Sequence, residues 1–287
     1  MSLQTISPFK NCEKKITRVG LGGEGALRTS GMGSIAVPVI GRAMALGIGY
    51  YDSARVYQDS ELYYGQFWKA HAREREAIFH TSKSADRSRE GALAELAQTL
   101  DRLNTSYLDL WQIHDVRTQA DLDAISAPGG ALEAFVQARD QGLTRFIGVT
   151  GHHDPEILAR AVEAWPVDAV LMPVNPVEKI LGGFLTRTLD AARKKGLAVI
   201  GMKVLGGKHY LGQGVEPEQL IRFALSQDVD LIIVGCKTLE EVETLVRAGE
   251  NPRDLSGEEC QAILAPFASR AREFAFYRGS VFKAPWG

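Results

Sequence analysis

Short apolar runs rich in β-branched residues alternate along this chain with longer stretches whose apolar residues recur every three or four positions. The short runs are Ile16–Gly22, Gly49–Asp52, Ala77–Lys83, Leu108–His114, Arg145–Thr150, Ala169–Pro173, Ala198–Val204 and Leu231–Gly235. Runs of this length and composition, bounded by polar segments, read as buried strands. The longer stretches are Val37–Leu46, Glu61–His71, Ser88–Leu103, Leu132–Gln141, Pro155–Ala164, Phe184–Lys195, Pro217–Ser226 and Leu239–Ala248. In the clearest of them Leu93, Leu96, Leu100 and Leu103 line one face of a helix. Gly47, Gly142, Gly196 and Gly249 follow four of these helices, where a C-cap favours a residue tolerant of positive φ.

Strands alternating with helices predict a parallel sheet with crossover helices, either an open doubly wound sheet or a closed barrel. The strand ends Asp52, Lys83 and His114 are 31 residues apart in each step, one βα unit each. A near-constant repeat and eight units of each kind predict an α/β chain folded as a (β/α)8 TIM barrel. No linker-like stretch divides the chain. The expectation is one domain over 1–287, with 250–287 as a C-terminal extension: a helix over Gly257–Phe274, then an aromatic tail.

Composition narrows the function. The 287 residues hold 33 Lys+Arg against 35 Asp+Glu, a net charge of −2, which argues against nucleic acid as a partner. Three cysteines, Cys12, Cys236 and Cys260, are too few and too scattered for a disulfide framework or an iron–sulfur site. No apolar run reaches the length of a membrane span, and the first residues lack a signal-peptide pattern. These features predict a soluble, cytoplasmic protein with a small-molecule partner, and leave its oligomeric state open.

Gly20-Leu-Gly22-Gly-Glu-Gly25 spells the dinucleotide-binding fingerprint directly after a strand. That fingerprint needs a helix opening inside it, aimed at a pyrophosphate. Here helical spacing begins only near Val37, so the glycines read instead as a flexible loop at the barrel mouth.

In a barrel, chemistry sits at the C-terminal ends of the strands. Asp52, Lys83 and His114 close three consecutive strand candidates, and Tyr57 follows Asp52. Neighbouring strands are about 4.8 Å apart, so these four groups can converge. A free phenol titrates near 10, and a lysine ammonium held by an aspartate would lower that value; a histidine opposite can orient a carbonyl. The set suits proton transfer to a carbonyl oxygen. A Schiff-base lyase using Lys83 is the alternative use of the same lysine.

The run Asp52-Ser-Ala-x-x-Tyr57-x-x-Ser60-Glu61-x-x-x-Gly65 resembles the signature of the aldo/keto reductase superfamily. The likeness extends to His80-Thr-Ser-Lys83, Tyr107-Leu-Asp-Leu-Trp-Gln-Ile-His114 and Gly142-x-x-Arg145-Phe-Ile-Gly-Val-Thr150, and covers about Ile16 to Ala248. It implies an NAD(P)H-dependent oxidoreductase reducing aldehydes or ketones, with Tyr57 as proton donor, Lys83 and Asp52 as its tuning pair and His114 orienting the carbonyl. A cofactor-binding sensor with little turnover is the competing reading.

The resemblance also implies a cofactor path. Val149-Thr150-Gly151-His152-His153 stands where the family commonly has Val-Ser-Asn, so the carboxamide-gripping asparagine is missing and His152 or Asn175 takes its place. Thr150, Gly151 and His152 resemble a subgroup with C-terminal iron–sulfur cysteines, a set this chain lacks. No third ligand joins His152 and His153, so no metal is expected. Lys203, Leu205, Gly206, Gly207 and Lys208 resemble the loop near the pyrophosphate. Gly235, Cys236, Lys237, Thr238 and Glu241 fall at the ribose end, where Thr238-x-x-Glu241 is also a capping box. The implied cofactor is NADP(H), with NAD(H) as the alternative because Glu240, Glu241 and Glu243 oppose a phosphate. Trp111 is read as packing against helices.

Overall fold

Each predicted strand finds its neighbour in chain order. The computed structural model describes residues 2–250 and 255–279. Its barrel strands are β1 (Val19–Leu21), β2 (Tyr50–Asp52), β3 (Phe79–Ser84), β4 (Leu108–Ile113), β5 (Thr144–Thr150), β6 (Ala169–Pro173), β7 (Ala198–Met202) and β8 (Leu231–Val234). All neighbours are parallel, and the ring closes where Ile232, Ile233 and Val234 pair with Val19, Gly20 and Leu21. The fold is a (β/α)8 barrel. Among the described residues no helix is long and apolar enough to cross a membrane.

The first strand is shorter than its apolar run. Ile16–Thr17 turns away to pair antiparallel with Thr5–Ile6, and only Val19–Leu21 enters the barrel. The Thr17 hydroxyl makes the break by donating to the Val19 carbonyl at 2.6 Å and accepting the Gly49 N–H at 2.9 Å. The hairpin carries Phe9 and Ile16 under the barrel, where Phe9 stacks on Phe79 at 4.9 Å. Tyr50, Phe79, Leu110, Leu171, Ile200 and Ile233 fill the interior above it. This end is plugged by apolar side chains, so an open site belongs at the other end.

Below the barrel one carboxylate gathers three cations. Lys14 reaches Asp109 at 2.7 Å, Arg75 at 3.2 Å and Arg145 at 3.6 Å, and all three cations also lie about 5 Å from the Tyr107 ring centre.

Helices match the predicted periodicity with instructive exceptions. The helix expected from Val37 begins at Gly33, four residues before the pattern signals it, because its first turn has no polar cap. Thr118–Asp121 forms a full capping box that starts a helix over Gln119–Ser126, which with Ala72–Ala77 and Pro176–Leu181 lies beyond the predicted set. Gly47, Gly142 and Gly196 adopt positive φ as expected; Gly249 instead stays inside helix Leu239–Glu250, packed against Val19. The C-terminal helix is broken in three: Gly257–Leu264, the 3-10 turn Ala265–Arg270 and Ala271–Phe274, where Pro266 interrupts the ladder. These pieces bury Phe267 and Phe274 against Tyr210, Leu220 and Phe223. Trp111 stacks on Phe135 at 3.7 Å, outside the barrel, as expected.

Candidate active site

β2 ends on Asp52 and β3 carries Lys83, one residue short of its end. Lys83 Nζ donates to both Asp52 carboxylate oxygens at 2.8 and 2.7 Å and to the Ser53 carbonyl at 2.6 Å. Thr81 donates to the same carboxylate at 3.0 Å. Each residue of this ion pair is only 1% exposed. Burial pulls the Lys83 pKa below the usual lysine value, with Asp52 opposing that shift.

Tyr57 lies in the loop after β2, 8% exposed, with its ring between two cations. Lys83 Nζ and the Arg28 guanidinium carbon are each 4.9 Å from the ring centre, and the His114 ring meets it edge-on at 5.6 Å. Burial pushes the Tyr57 hydroxyl well above the phenol range, helped by Asp52 and Glu24. This differs from the expectation that Lys83 lowers that pKa, because burial outweighs the cations beside the ring. The hydroxyl is therefore held protonated, the state of a donor.

His114 follows β4 directly, its N–H donating to the Ser84 carbonyl at 2.8 Å. Burial first, and then Lys83, hold its imidazole well below the usual histidine pKa, so the ring is neutral. Its Nδ1 is buried with no protein partner among the described residues. Arg87 clamps the turn here, donating to the carbonyls of His114 and Asp115 at 2.8 Å each. Asp115 has φ 56°, a strained conformation for a residue with a side chain.

Glu61, 1% exposed, organises the Tyr57 loop from behind. It accepts from Ser82 at 2.7 Å, Thr99 at 2.8 Å and Arg102 Nε at 3.1 Å. Arg102 also donates to the carbonyl of Gln58, which follows Tyr57 with φ 44°. Gly65 lets helix Ser60–Ala70 approach Arg102; a Cβ there would lie 1.9 Å from the Arg102 carbonyl oxygen.

The glycine run after β1 is packed rather than flexible, which corrects the sequence reading. A Cβ on Gly23 would lie 2.8 Å from both Tyr57 Cδ2 and the Asp52 carbonyl, and one on Gly25 2.6 Å from the Cys236 carbonyl. Gly235 is matched to this loop: its Cβ would meet the Glu24 backbone at 2.7 Å.

The residues expected along a cofactor path are spread over β5 to β8. Thr150 accepts the Asp115 N–H at 2.8 Å, and Gly151 packs beneath Val116. His152 Nδ1 is 3.5 Å from Asp115, and burial pulls its pKa down to about 4. Asn175 is already committed. Its amide nitrogen donates to the Lys203 carbonyl at 3.2 Å and the Tyr277 hydroxyl at 2.9 Å, while its oxygen caps helix Pro176–Leu181. Lys203 follows β7 directly with φ 57° and reaches Glu24 at 3.4 Å across the mouth. Leu205 leads into Gly206 and Gly207, both at positive φ, with the Tyr210 ring under Gly206. Burial raises the Cys236 thiol above its ordinary range, so it is no thiolate. At the helix head Thr238 Oγ1 accepts the Glu241 N–H at 3.3 Å, and Glu241 accepts the Lys237 N–H at 2.5 Å.

The profile of the Aldo/keto reductase family matches residues 33–220. The chain belongs to the aldo/keto reductase family. Its members are oxidoreductases acting on carbonyl groups. Methylglyoxal reductase DkgB of Salmonella typhi is 26% identical over 198 residues, 68% of this chain and 69% of that protein. Aldo-keto reductase str7 of Strobilurus tenacellus is 24% identical over 281 residues, 92% of this chain and 80% of that one. The holo form of aldo-keto reductase AKR11C1 from Bacillus halodurans shares the fold with a TM-score of 0.74 at 19% identity, covering 93% of this chain and 96% of that one.

The matched span begins after the glycine loop and ends before the head of helix Leu239–Glu250. Tyr277 lies in the aromatic tail expected from the sequence, but sequence reading missed Glu24, Arg28, Arg87 and Asp115 near the mouth. No local pattern marks them. The strained positions Gln58, Asp115 and Lys203 carry neither glycine nor asparagine, the residues that advertise positive φ.

Proposed function

We propose that this aldo/keto reductase converts an aldehyde or ketone to an alcohol, with Tyr57 as proton donor, Lys83 and Asp52 as its charged support and His114 as the carbonyl-orienting group. The observation that carries the reading is the buried Tyr57 ring lying 4.9 Å from the Asp52-paired Lys83 ammonium and 5.6 Å from the His114 ring. When bound, a nicotinamide cofactor supplies hydride to the carbonyl carbon. Tyr57 gives its proton to the carbonyl oxygen as charge develops there. The resulting phenolate faces Lys83 and Arg28, so both cations stabilise it until solvent returns a proton. His114, neutral and buried, donates a hydrogen bond to the carbonyl without carrying charge into the site.

The donor set fits a dinucleotide. Lys203, Lys208 and Lys237 stand along the β7 and β8 side of the mouth, and a Cβ on Gly207 would meet only the Phe276 ring, at 3.4 Å. Thr150, Gly151 and His152 would hold the nicotinamide end; His152 is favoured over Asn175, whose amide hydrogens are spent. Lys203, Leu205 and Gly206 would meet the pyrophosphate, and Gly235, Cys236, Lys237, Thr238 and Glu241 the adenosine end. NADP(H) carries the family's weight, but Glu241 already takes the helix-head N–H that an anion would use, and Glu240 stands exposed beside it. The reading is a cofactor accepted in both forms, with less than about tenfold preference, or roughly 1.4 kcal/mol, for NADPH over NADH. Fluorescence titration with each form tests this; a hundredfold preference would overturn it.

Lys83 is poorly placed for a Schiff base, being buried and saturated by three oxygen acceptors. The decisive assay follows reduced-nicotinamide absorbance over a panel of carbonyls that includes methylglyoxal, the substrate in the name of the DkgB relative. Tyr57→Phe should bind cofactor normally and lose about a hundredfold or more in rate. Equal, negligible rates in both proteins would favour a cofactor-binding sensor.

A further inference from the structure

The loop 22–32 brings a guanidinium over the outer face of Tyr57, and the loop is firmly tied down. Leu27 is fully buried, and the Ala26 N–H donates to the Cys236 carbonyl at 3.2 Å. The Tyr63 hydroxyl donates to the Thr29 carbonyl at 2.6 Å and accepts the Met32 N–H at 2.8 Å. Ser30 donates to Gln58 at 2.6 Å, and the Gly31 N–H to Asp59 at 3.0 Å. The backbone is thus bonded before Arg28 to Cys236, after β8, and after Arg28 to the segment that carries Tyr57, which sets where its side chain can lie.

Charge at this point does not balance. The Glu24 carboxylate accepts from Arg28 Nη1 at 3.0 Å and from Lys203 Nζ at 3.4 Å, one anion between two cations. The two cations hold the Glu24 pKa below its usual value against the opposing effect of burial. Asp52 is paired with Lys83, Asp115 with Arg117 at 2.7 Å and Asp121 with Arg87 at 3.0 Å, while Glu61 is shared by Arg102 and Arg55 and Asp59 accepts the Gly31 N–H. His114 and His152 are neutral. Around Glu24 the cations outnumber the anion by one, and one of them, Arg28, lies 4.9 Å from the Tyr57 ring centre. Arg28 uses one of its five N–H donors, its remaining donors have no protein partner among the described residues, and its side chain is 49% exposed.

We propose that the carbonyl substrate carries a carboxylate or similar anionic group a few carbons from the carbonyl, and that Arg28 receives that group. This rests on the reductase reading above and names its substrate class, a short oxo acid. A carbonyl hydrogen-bonded to Tyr57 puts its near substituents beside the guanidinium stacked on the same ring. The planar fork can grip a carboxylate with two parallel N–H bonds while its face stays on the phenol. Arg28 is a specificity residue, distinct from the lysines of the β7 and β8 loops on the cofactor side.

The test compares matched carbonyls, 4-carboxybenzaldehyde with benzaldehyde and succinic semialdehyde with butanal, in the wild type, Arg28→Met and Arg28→Lys. The wild type should favour the acids at least tenfold in kcat/KM. Arg28→Met should lose roughly ten- to a hundredfold more on the acids, chiefly in KM, than on the neutral partners, whose smaller shared loss reads the support Arg28 gives the Tyr57 phenolate. Arg28→Lys should recover part of that loss, and NADPH affinity should not change in either variant. Equal losses on acids and neutrals, or weakened NADPH binding in Arg28→Met, would overturn the proposal. Calorimetric binding of 4-carboxybenzaldehyde separates it from the reductase reading. If no carbonyl is turned over, that reading fails, while binding that drops at least tenfold in Arg28→Met still supports the anion site; equal binding in both proteins refutes it.

Discussion

Replacing Lys83 with methionine would strand the Asp52 carboxylate, 1% exposed and left with the Thr81 hydroxyl as its remaining side-chain donor. Breaking a buried pair from one side leaves an uncompensated charge, so Lys83→Met should lose about 3–5 kcal/mol of stability. Urea denaturation reads this directly, and a loss under 1 kcal/mol would mean that water reaches Asp52. The neutral imidazoles give a second prediction. His80 and His114 both have pKa values depressed chiefly by burial, so the unfolded chain binds protons that the folded one refuses. Their contribution is fully present above the unfolded value, about 6.5, and is lost as pH falls through the depressed folded values. The urea midpoint should fall from pH 7 to pH 5, and His114→Gln should flatten that slope. The same residues show what is legible at this scale. Asp52, Lys83 and His114 fall out of local period and strand length, whereas Arg28 reaches Tyr57 only through loop packing that leaves no spacing to read.

Helix Ser60–Ala70 and helix Arg89–Leu103 meet at Gly65 and are tied by Glu61 to Arg102. This junction explains the run Tyr57-x-x-x-Glu61-x-x-x-Gly65: the carboxylate and the missing side chain lie one turn apart on one helix face, against one partner. Gly65→Ala would force a Cβ to 1.9 Å from the Arg102 carbonyl oxygen, backbone that cannot yield cheaply. A loss of about 1–3 kcal/mol is expected from overpacking, visible as a lower thermal midpoint. Gly47→Ala, at φ +84° in open space, should cost only about 1 kcal/mol, and that strain is local. Arg102→Met frees the Gln58 carbonyl and should lower kcat roughly tenfold or more while cofactor affinity holds, since a small misplacement of Tyr57 is costly. In a Tyr57→Phe background the same change should have almost no effect on the residual rate. Strands and helices were readable because their periods are local. The clamps between them were not, because residues 58 and 102 meet only once the fold exists.

At the scale of the molecule both ends of the barrel are held by distant parts of the chain. The N-terminal hairpin plugs one end, while residues 274–278 lie beside the other; the rest of the expected aromatic tail, 280–287, lies outside the described residues. Arg278, 2% exposed, donates to Glu178 and to the Gly182 carbonyl, and the Tyr277 hydroxyl donates to Glu178 at 2.8 Å. Tyr277 in turn faces His152, with ring centres 6.3 Å apart, so this lock sets part of the mouth. Taking both charges out of water offsets much of what their pairing returns, and burial raises the Glu178 pKa from its ordinary value with Arg278 and Tyr277 opposing the shift. The lock is therefore expected to add little net stability. Three variants separate the effects. Glu178→Met strands the guanidinium and should cost about 3–5 kcal/mol; Arg278→Met strands the carboxylate and should cost a similar amount. The double change to methionine removes both charges and should return to within about 1 kcal/mol of the wild type or exceed it, a coupling that urea denaturation of the four proteins measures. If the double variant is as unstable as the sum of the singles, the pair is a net contributor and the pocket wall owes its position to it. If stability recovers while substrate selectivity loosens, the ion pair is kept for the shape it gives the mouth.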